Sequence, residues 1–135
     1  NVTFNESINI SNQILNENIF DIINVDLINY YNTAGEIINL INFSKNNKIN
    51  LIDYNLVSFL NLLIDNGYYK KDKVIKNLLI NFIELFFLKE YKLSQTKKSL
   101  LNFYHDFIVK KNNTEKFNLD EESLFLEFKS KLLNG

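Results

Sequence analysis

No proline interrupts this chain, and its apolar residues recur at helical spacing over long runs. Proline is the strongest local helix breaker, and a 3.6-residue apolar period produces a stripe that must be covered. Four such stripes stand out: Leu56, Phe59, Leu60, Leu63 and Ile64; Leu78, Leu79, Phe82, Leu85 and Phe86; Leu100, Phe103, Tyr104 and Phe107; and Leu124, Phe125, Phe128, Leu132 and Leu133. The pattern predicts an all-α chain with helices near residues 4–15, 20–31, 34–42, 53–66, 72–87, 95–109 and 119–133. Thr33 and Asp120 are the expected N-caps, and Glu121 and Glu122 follow Asp120 where a helix dipole favours acids. Gly35 and Gly67 are the only internal glycines. "NGYYKKD", residues 66–72, therefore reads as a helix stop and an internal boundary, dividing the chain into lobes 1–66 and 70–135.

With 46% hydrophobic residues and a net charge of −1, the chain is too apolar to stay disordered and has no global pull toward nucleic acid or membrane. Its charge is unevenly spread: residues 1–69 carry two lysines against seven acids, and 70–135 carry thirteen lysines against nine acids. That polarity suggests an asymmetric partner. No cysteine is present, so disulfides, thiolate metal sites and a Cys nucleophile are excluded. The first residues are polar and suggest no signal peptide. The most apolar run, Leu78 to Leu88, is too short to span a bilayer. The expected setting is soluble and intracellular. The many Asn-x-Ser/Thr sequons follow from the abundance of asparagine, a bias shared with other residues of AT-rich codons.

Little in the chain points to catalysis. His105 is the single histidine, and Asp106 beside it projects from a different angle of a helix, so the two form no dyad. There is no glycine-rich phosphate loop and no nucleophile elbow, and no enzyme, catalytic residue or cofactor is expected. Lys70–Lys73, Lys97-Lys98 and Lys110-Lys111 read as solvated helix faces, because arginine, the chief base reader, is missing.

One isolated residue, Ile49, sits among twelve polar, loop-like positions, "NFSKNNKINLID". A twelve-residue calcium loop has an apolar residue at position eight. With Ile49 there, Asn42, Ser44 and Asn46 fall at positions one, three and five, Asn50 at nine and Asp53 at twelve. The layout recurs with Phe117 at eight and Glu121 at twelve, and more faintly with Leu93 and with Ile19 at eight. These spacings resemble the calmodulin superfamily of EF-hand proteins. With "DYNLVSFLNLLIDNGYYKKDKVIKNLLINFIELF" and the ending "LEFKSKLLNG", the chain is similar to a shortened, apicomplexan-type myosin essential light chain.

The resemblance implies a two-lobed, degenerate EF-hand protein that wraps and stiffens a basic, amphipathic IQ-type helix of an unconventional myosin heavy chain. It implies a groove built from Leu79, Phe82, Phe86, Leu100, Phe103, Leu124 and Phe128, with Ile49, Leu93 and Phe117 as paired-loop anchors. A cytoplasmic location follows, in association with a membrane-anchored motor complex. No metal is expected, because the 42–53 loop offers one carboxylate beside two lysines and calcium wants six to eight hard oxygens. The alternative is a compact single-core helical bundle, such as a pathogen adaptor or a viral Bcl-2-like inhibitor.

Overall fold

The computed structural model describes residues 3–29 and 32–133, so the first sequon and the end of the expected helix 20–31 lie outside the described residues. The described chain is all-α. Six helices are α1 (Phe4–Leu15), α2 (Ala34–Asn46), α3 (Leu56–Asp65), α4 (Lys73–Leu93), α5 (Lys97–Lys116) and α6 (Glu122–Phe128), the last continuing as a π-helical turn, Lys129–Leu133. Four 3₁₀ turns, Ile19–Asp21, Val25–Leu27, Leu51–Asp53 and Tyr68–Lys70, connect them.

The expected helix over 20–31 is absent; its described part forms two of these 3₁₀ turns. The cause is local. The side-chain oxygen of Asn18 accepts from the Phe20 amide (3.1 Å), and that of Asn24 from the Asp26 amide (3.0 Å). Asparagine at these positions offers the backbone a partner outside the helix ladder and stops propagation after one turn. Asn50 does the same before Leu51–Asp53, and the Asn24 amide donates to the Leu51 carbonyl (3.3 Å). Ile19, Leu27 and Leu51 thereby turn inward and are fully buried.

The two regular loops expected after residues 86 and 110 are also absent. Residues 86–93 belong to α4, and only Ser94-Gln95-Thr96 separates it from α5. Residues 110–116 belong to α5. Leu93 and Phe117 are 80% and 60% exposed, so neither is a buried loop anchor, whereas Ile49 is half-buried against the core. The layout that repeats in the sequence is a helix stop. Lys48 adopts φ 56°, the Lys48 amide donates to the Lys45 carbonyl (3.4 Å), and the Ile49 amide to the Ser44 carbonyl (2.9 Å). Asn118 adopts φ 51°, with Asn118 donating to Glu115 (3.4 Å) and Leu119 to Thr114 (2.9 Å). Both are Schellman motifs, which satisfy the last carbonyls of a helix through one left-handed residue. Ile49 is the apolar residue that follows such a stop.

A single buried cluster runs through both halves of the chain, from Ile8 and Ile19 to Phe125 and Phe128. Phe59, Leu60, Leu79, Ile83 and Phe125 are fully buried. The ring of Phe59 meets that of Phe82 edge-on at 5.3 Å. The segment expected to separate two lobes is itself packed: Gly67 takes φ 62° to end α3, and Tyr69, 5% exposed, lies 4.6 Å from the Phe125 ring. A left-handed glycine carries no Cβ penalty, which lets the chain turn sharply here.

Ion pairs tie the acidic half to the basic half. Lys89 on α4 donates to both the side chain (2.6 Å) and the carbonyl (2.9 Å) of Asp26. The other Asp26 carboxylate oxygen accepts the Leu56 amide (2.6 Å), the first of α3. Burial pushes the Asp26 carboxyl up, but the Lys89 and Leu56 hydrogen bonds and the Lys89 charge together hold it below the usual carboxylate range. Lys129 pairs with Asp65 across the same divide.

Candidate interaction groove

The residues expected to line a partner-helix groove mostly face one another. Leu79, Phe82, Phe86, Leu124 and Phe128 are buried, Leu100 is half-buried and Phe103 is exposed. The structure brings Phe86 and Phe128 into edge-on contact at 5.5 Å, and Phe87 and Phe107 complete the same aromatic cluster. Phe103, Leu124 and Phe128 converge on a cavity of about 20 Å³ between α5 and α6. That volume holds about one water and no partner side chain.

An open apolar groove lies instead on the other side of the α4–α5 hairpin. From α4 come Glu84, Phe87, Leu88 and Tyr91, and from α5 Leu100, Leu101 and Tyr104. Glu84, Leu88 and Tyr91 stand at i, i+4 and i+7, so they form one stripe along the helix. Phe87 is the buried floor, its ring edge-on to Tyr104 at 5.0 Å. Leu88, Tyr91 and Leu101 remain 39%, 38% and 50% exposed. The groove measures about 260 Å³. It is smaller than the roughly 300–1,000 Å³ of sites that enclose small ligands, and suits a few inserted side chains.

A tight turn creates the groove. The Ser94 amide donates to the Glu90 carbonyl (2.7 Å) and ends α4, and the Thr96 amide donates to the Ser94 hydroxyl (3.0 Å). With three residues between them, the helices fold back in register and leave a furrow between their outer faces. The Thr96 hydroxyl is engaged with Ser94 (3.1 Å) and makes no cap bond to α5. Lys97 and Lys98 occupy the first turn of α5, which carries no acid; cations there oppose the helix dipole. The Lys97 ammonium lies 4.8 Å from the centre of the Tyr91 ring, a cation–π contact that closes the tip end of the furrow. At the far end, burial pushes the Tyr104 hydroxyl up and the nearby Glu84 charge adds to the shift.

A second, polar cleft flanks Glu84 on its other side, where Asn29, Asn32, Glu36 and Asn81 stand above Leu78, Phe82 and Leu85. Three of these residues bond to one another: Asn32 donates to Glu36 (3.0 Å) and accepts from the Asn29 amide (2.7 Å). His105 is exposed, and Asp106 pairs with Lys110 (2.9 Å). Among the described residues no group of acidic or imidazole side chains could hold a metal ion, and no helix is long and apolar enough to cross a membrane. Leu88, Tyr91 and Leu101 were absent from the residues expected at a site. For Leu88 and Tyr91 the signal was a second stripe on α4, beside the core stripe and beyond the helix's expected end; Leu101 lies within the expected helix 95–109, next to its core stripe. Comparison of the chain with known protein families, with curated proteins and with solved structures finds no match.

Proposed function

We propose that the chain is a non-catalytic helical interaction module that binds a segment of one partner protein in the α4–α5 groove. The observation that carries this reading is the groove itself, an apolar furrow left open between two helices while five of the seven residues expected to grip a partner are buried. A furrow floored by aromatic and aliphatic side chains takes the apolar face of a partner segment. The alternative, two EF-hand-like lobes wrapped around an IQ-type myosin helix in a motor complex, needs Leu79, Phe82, Phe86, Leu124 and Phe128 to leave the core together.

Selection from a library of helical peptides on the immobilised protein tests the reading. Enriched peptides should bind the wild type and lose binding to Leu101→Asp, with Ile14→Asp on α1, exposed and outside the groove lining, as the control. If nothing is enriched, or enriched peptides bind Leu101→Asp equally well, the groove reading fails. A basic IQ-type peptide whose binding depends on Phe82 and Phe128, and not on Leu101, would install the light-chain alternative.

A further inference from the structure

Two charges of opposite sign stand at the two ends of the groove. Glu84 and Lys97 are both exposed, and neither forms an ion pair among the described residues. Six of the fifteen lysines pair with carboxylates within the described fold, and Lys97 is not one of them, so the apolar strip is framed by an acid and a base whose charges are unneutralised. Along α4, Glu84 and Tyr91 are two helical turns apart, roughly 10 Å at about 1.5 Å per residue. Lys97 lies over Tyr91 and so marks the opposite end from Glu84. Its end is positive for a second reason: Lys98 adjoins it, and the first turn of α5 has no side-chain cap to neutralise its amides.

Resting on the groove reading above, we propose that the occupant is an amphipathic helix of a partner protein that presents a basic residue to Glu84 and an acidic residue to Lys97. Two apolar residues of the same helix face lie between those charges and enter the furrow over Phe87. Helical positions i, i+3, i+4 and i+7 share one face and span about two turns, which matches the distance from Glu84 to Tyr91. The apolar pair supplies the affinity, and the two end charges supply the register, because a shift by one turn takes both charges off their partners and a shift by two turns sets like charges together. A basic helix, which the acidic first half of the sequence suggests, meets a mismatch at the Lys97 end.

Three synthetic helices of about sixteen residues, long enough to hold helical structure, test this by chemical-shift titration of the labelled protein. Each carries leucines at i+3 and i+4; at i and i+7 they carry Lys and Glu, Lys and Lys, or Glu and Glu. The wild type should bind the Lys/Glu peptide best, by about two- to fivefold for each matched surface pair. Glu84→Lys should shift the preference to Glu/Glu, and Lys97→Glu to Lys/Lys, with circular dichroism confirming that both variants keep their helices. Equal binding of all three peptides to all three proteins, lost in Leu101→Asp, overturns the charge assignment and leaves the groove standing. Binding of none of them overturns the groove reading and this inference with it.

Discussion

Lys48 holds its backbone at φ 56° to end α2, a conformation that costs an L-residue with a Cβ about 1–2 kcal/mol. Lys48→Gly removes that cost and adds unfolded-state entropy, so the net expectation is a gain of about 1 kcal/mol, read as a higher thermal midpoint. The same site read as position seven of a metal loop would give no reason for a gain. Asp26 is the other residue on which much rests. Its pKa is held down in the folded state, so its contribution is complete above the unfolded value and is lost as pH falls through the folded one. Glu127 acts in the same direction, because hydrogen bonds from Lys110 and Lys131 hold it down. Stability should therefore fall as pH drops below about 4, near and beneath the ordinary carboxylate values. Thermal midpoints measured from pH 6 to pH 2 should show a shallower acid loss for Asp26→Asn than for the wild type; parallel curves would remove Asp26 from this role. Thr33 was legible as an N-cap and accepts the Glu36 amide (3.1 Å). Asp26 was not, because its partners, Leu56 and Lys89, are brought to it only by tertiary folding.

At the scale of elements, the helices with one continuous apolar stripe were legible, and α1 matches its expected bounds at Phe4–Leu15. The elements that went astray fall into two kinds. Between α1 and α2, apolar spacing suggested a helix, but Asn18 and Asn24 capture nearby amides and leave only 3₁₀ turns. Around Leu93 and Phe117, a loop template displaced a helix that local propensity already allowed. That displacement hid the groove, since Leu88 and Tyr91 were placed in a loop and not on the last turns of α4. The start of α5 offers a test at this scale. Thr96→Asp puts an acid before Lys97 and Lys98 and should add about 0.5–1 kcal/mol by capping and dipole effects. The same change should weaken the Lys/Glu and Glu/Glu peptides. A variant with a higher thermal midpoint and unchanged peptide affinity would separate the α5 terminus from the binding site.

For the whole molecule, charge that pointed toward an outside partner is in part consumed inside. Asp26 and Asp65 come from the acidic half, and Lys89 and Lys129 from the basic half, and they pair across the fold. Formal charge along a sequence cannot distinguish a partner from the other half of the chain. With Phe59, Leu79 and Phe125 in one cluster, unfolding should be a single transition, and Phe125→Ala should cost about 3–5 kcal/mol without splitting it. Two transitions in a calorimetric scan would instead divide the core. One helix is less firmly held than the rest: α5 buries only Phe107 and Thr114 of its twenty residues. Its amides should exchange with deuterated water sooner than those of α3 and α4, through a local opening that leaves the core closed. Because α5 forms one wall of the furrow, an occupant bridging α4 and α5 must slow that exchange, and the fold thereby carries a clock that registers occupancy without any change of shape.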